Sequence, residues 1–591
     1  MHLVTATNRS FAAVFLYRIC WQTILFCLPA VALPAGLPPY SEAALQAWWK
    51  SRPDDADFHG ESEKLKNQLL ASQNEPGTDL PQLFSQTNFL GWLELACWLD
   101  NYPAASSTEY LSSKEGRAEF VRIGTNTALR SLFLANLSPR DNGPNACRIL
   151  CQIAQAEPAG LKQLPQLAIA MALVFDQPFP EKWPHLWVRK EDLPVGDSDP
   201  VKRFRALWKI SRGVEIPDGS TRKFLIDPSR LTVRDLMFVV DTPVDFKEIN
   251  YVLQVKLGDP ARLNDLFPQV PYDKSRMNRN DLIWPGGAYR LIDIGKKGGI
   301  CADQAYFVAM AGKAQGIPTV LFMGQGASGG HAWVGYQGAP GRWSMNVARY
   351  RQENFTSGAT WDPQTWRRIT DAQLIFICRE PATGTALLHG HLLARWAIMN
   401  RSEDSYPQLL GIARSAWPHS IDIWELQAEC LEDHHLPAED RRAFWENWIS
   451  TFKDDRDMRF KGQSALLRLY EANQNQPVAA ALKAQMIAEN KHARFDLAAS
   501  LAAAPVLDLA NAGKWPEATS AFEKLLADCR GRADGNLFYN LVQPFIEQAV
   551  QAGEINKARE ALSQSRPLFK VPPLSTLAVD FKVLETSVSG K

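Results

Sequence analysis

The sequence predicts an α+β core set between two mainly α-helical regions, the C-terminal one an α-α repeat array. Three observations carry that expectation. In the middle of the chain, a helical stretch at Ala302 to Gly316 is followed by three short strand-like runs. On both sides of it amphipathic segments dominate and strand signals are few. Near the C-terminus, Ala512-Gly513-Lys514-Trp515-Pro516-Glu517-Ala518 is echoed forty residues later by Ala552-Gly553-Glu554-Ile555-Asn556-Lys557-Ala558, with Gly in a turn and Ala at a packing position of the next helix. At 591 residues and 46% hydrophobic content, a single core is not expected. The boundaries fall at 1–32, 33–224, 225–380 and 381–591.

Residues 1–32 have the makings of a signal peptide. Arg9 and Arg18 accompany an apolar stretch through Ile19, Ile24, Leu25, Phe26 and Leu28 to Ala30-Val31-Ala32, where small residues suit cleavage. Export, periplasmic or extracellular, is the expectation, and an uncleaved membrane anchor is the alternative. Arg18 and Gln22 leave the run short of a good span, and bulky Phe26 before Cys27 argues against a lipoprotein. No integral membrane domain is expected beyond this segment. Its removal leaves seven of nine cysteines, an odd number, with Cys301 the natural free thiol. Basic and acidic residues balance at 64 each, which excludes a long-range field for nucleic acid.

From about residue 40 to 220 the pattern is helical, with amphipathic segments at 89–99, 117–135 and 146–154 and Pro-rich joints near 178–184 and 194–200. Cys147 and Cys151, on one helical face, are expected to be two core residues. The core follows. Gly298 and Gly299 precede Cys301, which falls at the start of the helix that Ile317-Pro318 ends. There the unpaired backbone N–H groups and the dipole favour an anion, lower a thiol pKa and receive an oxyanion. Thr319 to Met323 predicts a buried strand, His331 to Tyr336 the next and Arg342 to Val347 a third. A Cys on the helix, a His on one strand and an Asn on the next can converge as nucleophile, base and orienting residue: Cys301, His331 and Asn346.

The order and spacing of Gly-x-Cys, a helix ending in Gly-Ile-Pro, His-Ala-Trp-Val-x-Tyr and Gly-x-Trp-x-x-Asn resemble the transglutaminase-like superfamily, whose core is similar to that of papain-like peptidases. The resemblance covers about residues 225 to 380. It implies that Cys301 is the nucleophile, His331 the general base and Asn346 the third member. Asn346 stands where the family has Asp; an amide holds the imidazole but does not stabilise its cation by charge. Asp362, before Pro363 and Thr365, is the alternative third residue and is otherwise expected to cap a helix. Trp284, Tyr289 and Trp333 are the aromatic candidates to line the site. The C-terminal echo resembles tetratricopeptide-type hairpins, whose stacked surface holds a protein or peptide.

Several signals are discounted. Gly324-Gln325-Gly326-Ala327-Ser328-Gly329 precedes a strand rather than a helix, so it is expected to be a flexible loop giving substrate access to His331, not a phosphate cradle. His389-Gly390-His391 and His434-His435 lack further ligands at metal spacing, and Asp454-Asp455-Arg456-Asp457 lacks the Gly and Glu of a calcium loop. No metal or cofactor is implied. The sequons at Asn136, Asn354 and Asn400 matter only in a glycosylating host. The expected function is an exported cysteine enzyme that attacks an amide of a protein or peptide substrate and hydrolyses it. The alternatives are an inactive scaffold holding a protein partner on its helical repeats, and acyl transfer to an amine.

Overall fold

The computed structural model describes residues 37–589 except 54, 104–108, 197, 280, 286, 327, 350–356, 379–383, 493 and 574. The expected signal peptide at 1–32 and the sequon at Asn354 lie outside the described residues. Helix makes up 64% of the structure and strand 7%, so the strands are confined to two small sheets and the class is α+β. Two compact units divide the chain after Asp100. The first is helical, with Phe58–Gln73 and Thr87–Leu99 as its longer elements. Leu65 and Leu69 of the former and Trp92 and Trp98 of the latter are buried.

The second unit begins with helices Lys114–Thr125, Thr127–Asn136, Gly143–Ala156, Pro165–Val174 and Pro200–Arg212. The stretch expected as one helix at 117–135 is two, because the Asn126 side chain accepts the Leu129 N–H at 3.1 Å and starts a new helix. Cys147 and Cys151 are fully buried on one face, and all seven described cysteines are free thiols. Strands β1 (Val214–Glu215) and β2 (Thr221–Arg222) form a small hairpin. Helix Val233–Val240 follows, then Phe246–Leu253, Leu291–Lys297 and Cys301–Ala314.

A five-stranded antiparallel sheet completes the core: β3 (Thr319–Gly326), β4 (Gly329–Ala339), β5 (Arg342–Val347), β6 (Ser357–Trp361) and β7 (Arg368–Thr370), in the order β5-β4-β3-β6-β7. Thr319 and Tyr336 pair directly, as do Leu321 with Val334 and Met323 with Ala332, so these six share a face. It is the face of the Cys301 helix, since Thr319 Oγ1 donates to the Ala309 carbonyl at 2.7 Å. Val320, Phe322 and Trp333 alternate onto the other face, in a buried cluster with Phe238, Met345 and Leu374. Buried Lys313 ties the helix end to β3, donating to the carbonyls of Phe238 at 2.6 Å and Thr319 at 2.5 Å and pairing with Asp241.

From Thr385–Met399 to Thr576–Ser589 the chain is helical, as expected. The forty-residue echo is a repeated helix–turn–helix. Phe495–Asn511 turns into Trp515–Asp528, and Gln543–Gln551 into Ile555–Ser565. In both turns Gly is left-handed, at φ 71° and 79°, and the equivalent N–H groups of Lys514 and Glu554 bond back to Leu509 and Ala549. Ala518 and Ala558 are buried in one shared cluster. Among the described residues no helix is long and apolar enough to cross a membrane.

The glycine-rich segment expected as a flexible loop is instead largely strand, with Gly324 to Gly326 in β3 and Gly329 and Gly330 in β4. C-terminal helices lie directly upon it. Thr576 Oγ1 donates to the Gly330 carbonyl at 3.0 Å and Leu577 N–H to Ser328 at 3.3 Å. A Cβ on Gly535 would lie 2.1 Å from the Gly326 carbonyl oxygen, so the two backbones approach where no side chain fits. Gly535→Ala is therefore expected to lower stability by about 1–3 kcal/mol, seen as a drop in the thermal midpoint. An unchanged midpoint contradicts the close docking.

Candidate functional site

The start of the Cys301 helix is fixed by a buried carboxylate. Gly298 adopts φ 81°, Gly299 N–H bonds the Pro271 carbonyl at 2.9 Å, and Asp273 N–H bonds Gly299 in return at 2.9 Å. Three residues past the N-cap, Asp303 reaches back to accept the Ile300 N–H at 2.8 Å. The same Oδ2 takes Arg276 Nη1 at 2.6 Å, and Oδ1 takes the Tyr289 hydroxyl at 2.8 Å. Arg276 spends its other donors on the carbonyls of Asp281 and Leu282. Because the Tyr289 proton goes to Asp303, the 2.9 Å contact with His185 Nε2 has the imidazole as donor, and His185 Nδ1 accepts the Trp187 N–H at 3.3 Å. Burial holds His185 neutral, with its pKa lowered to about 4.

Cys301 is the first residue of this helix and is 7% exposed. Burial pushes its thiol up to about 11; the N–H of Ala332 opposes that, the Asp303 charge adds to it, and the N–H groups of Ala302 and Cys301 oppose it too. The helix start was expected to lower the thiol pKa. Loss of water outweighs the backbone donors, so the thiol is protonated at neutral pH. The Ala332 donor comes from β4 beyond the end of β5, whose pairing stops at Val334 with Val347.

Ala332 immediately follows His331, so the structure brings the Cys301 sulfur beside the His331 backbone. The imidazole points elsewhere. His331 pairs with Gly324 in the set that faces away from the Cys301 helix, and its ring stacks on Trp333 at 6.3 Å and 23°. Nε2 bonds the Ala348 carbonyl at 2.8 Å, and no hydrogen bond joins it to Cys301 among the described residues. Burial lowers the His331 pKa while the Ala348 carbonyl raises it. Ala348 has φ 61°, a left-handed conformation uncommon for Ala, which turns the chain after β5 so that this carbonyl meets the ring. Asn346, two residues earlier, is exposed, and the carbonyl has the orienting place expected for it.

Among the described residues Asp362 bonds neither Cys301 nor His331. It ends β6 with an ion pair to Arg234 at 2.8 Å and accepts from Gln364 N–H and Thr365 Oγ1, capping a turn rather than the expected helix. Trp333 lies under the His331 ring. Trp284 and Tyr289 are buried around Arg276 and Asp303 instead of lining a cleft, with the Arg276 guanidinium 5.6 Å from the Trp284 ring. The sequence reading missed Asp303, Arg276, His185 and Ala348. Only Asp303 carried a local signal, an acid three residues past an N-cap.

Compared with protein-family models, curated proteins and solved structures, the chain matches none.

Asp303→Asn leaves the Arg276 charge buried without its counter-ion and is expected to cost about 3–5 kcal/mol, measured by denaturant unfolding. A loss under 1 kcal/mol contradicts the hub. His185 gives a pH signature. Its folded pKa of about 4 is below the usual 6.5, so the unfolded chain takes the proton first as pH falls. Its contribution is complete above pH 6.5 and lost towards pH 4, on the order of 3 kcal/mol. His185→Gln should flatten the stability profile over that window, and an unchanged slope contradicts the assignment.

Proposed function

We propose that the protein is an exported, transglutaminase-like cysteine enzyme that hydrolyses an amide of a peptide or isopeptide through Cys301 and His331. One observation carries the reading: the backbone N–H groups of Ala302, of Cys301 itself and of Ala332, the residue next to His331, favour a Cys301 thiolate against the burial that raises its pKa. Those donors suit a thiolate and, after attack, a carbonyl oxyanion. In the step envisaged, the sulfur attacks the amide carbonyl carbon, its proton passes to the His331 imidazole and from there to the leaving amine, and a thioester forms. Water then attacks the thioester carbonyl and returns the proton to sulfur.

For the proton transfer, the imidazole has to leave the Ala348 carbonyl and turn, past the end of the β4–β5 pairing, towards Cys301. The arrangement described is thus the resting one, thiol and neutral imidazole apart. A second reading rests on that same separation: a scaffold with no turnover, whose helical C-terminal region holds a protein partner.

Alkylation separates the two. With iodoacetamide, the thiolate fraction at a pKa of about 11 is roughly one in a thousand at pH 8 and rises about tenfold per pH unit below 11. The enzyme reading expects a peptide-like acyl electrophile to label Cys301 at pH 7.5 far faster than iodoacetamide does, with His331→Ala slowing only the former by about a hundredfold. Equal, slow labelling by both reagents, unaffected by His331→Ala, leaves the scaffold.

A further inference from the structure

The carbonyl that holds the His331 imidazole is itself held in place. Ala348 is left-handed at φ 61°, a conformation that costs an L-residue energy and lasts only where its neighbours enforce it. On one side the pairing of Val347 with Val334 fixes the chain. On the other stands Arg349. Because the Ala348 carbonyl and the Arg349 nitrogen belong to one planar peptide unit, whatever orients Arg349 also aims that oxygen.

Arg349 is pinned at three points. Its N–H bonds the Asn346 carbonyl at 3.3 Å, its Nη1 donates to Asp371 Oδ2 at 2.8 Å, and its guanidinium lies 5.0 Å from the centre of the Trp333 ring. The two side chains of the ion pair are 19% and 13% exposed, so solvent screens it less than a pair on the surface. The anchor is firm. Asp371 opens helix Asp371–Cys378, where its Oδ1 accepts the Ala372 N–H at 2.9 Å, and the side chains of Gln373 and Thr370 accept each other's backbone N–H at 2.8 and 3.2 Å. Trp333, which meets both Arg349 and the His331 ring, is closely packed in turn: a Cβ on Gly358 would come within 2.4 Å of it.

We infer that Arg349 and Asp371 form a latch, whose ion pair fixes the Ala348 carbonyl and so keeps the His331 imidazole at rest, away from Cys301. Arg349 is thus a positioning residue that acts through Ala348. As a control on turnover the latch rests on the Cys301–His331 reaction proposed above; as a restraint on the imidazole it does not.

The test follows the imidazole itself. The full chain is treated with diethyl pyrocarbonate at pH 7, where burial keeps His331 and two other buried imidazoles, His185 and His391, neutral, so the rate of modification at each, read by mass, reports access. In Arg349→Gln and Asp371→Asn the rate at His331 is expected to rise about tenfold while His185 and His391 keep their wild-type rates, and Arg349→Lys, which keeps a charge opposite Asp371, is expected to stay near wild type. An unchanged rate at His331 in both variants, a rise shared by all three histidines, or Arg349→Lys as fast as Arg349→Gln overturns the latch. Acylation of Cys301 by a peptide ester separates the two claims. It should quicken about tenfold in the variants that release His331. No acylation in any of the proteins, with His331 released, supports the latch and overturns the reaction; acylation at the wild-type rate, with His331 released, overturns the latch as a control on turnover.

Discussion

Burying the Asp303 carboxylate carries a large desolvation cost, and only its full set of partners offsets it. Those partners come from separate stretches: Arg276 before the site, Tyr289 just ahead of the helix, and the Ile300 N–H at the helix start. His185, more than a hundred residues earlier, is joined through Tyr289. The position and direction of the first turn of the Cys301 helix follow from this one set of bonds. A carboxylate at that place also has an electrostatic consequence for the thiol, since its charge opposes formation of a thiolate nearby.

The same turn therefore pulls Cys301 two ways. Backbone donors from Cys301, Ala302 and Ala332 favour sulfur as an anion, while burial and Asp303 favour the neutral thiol, and burial prevails. A thiol in this state reacts slowly with bulk reagents at neutral pH. The hairpin that carries His331 is meanwhile met by Thr576, Leu577 and Gly535, so the C-terminal helices hold the strand that bears His331. The helical region is in that sense part of the site's support.

Much of the core was legible in the sequence because its signals are local. Glycines before Cys301, apolar spacing through the helix and Gly-Ile-Pro at its end fixed an element that spans Cys301–Ala314. The three strands followed from short apolar runs, and the Gly513 and Gly553 turns from an audible repeat. What was not legible depends on contacts remote in sequence. Nothing near Gly324 to Gly329 announces that helix Thr576–Ser589 will cover it, so glycines that permit backbone-on-backbone docking looked like a flexible loop. Strand parity places His331 across the sheet from the Cys301 helix, which spacing alone does not reveal without the register. The thiol pKa likewise depended on how deeply Cys301 is buried.

Trapping the acyl group decides most directly whether Cys301 is a nucleophile. The full chain is incubated with an activated peptide ester, quenched in acid and digested, and the modified peptide is identified by mass. The expected result is a single acyl mass on the peptide bearing Cys301, removed by hydroxylamine as a thioester is and absent from Cys301→Ser. An adduct spread over several of the thiols, or none at Cys301 while the ester is consumed elsewhere, contradicts it.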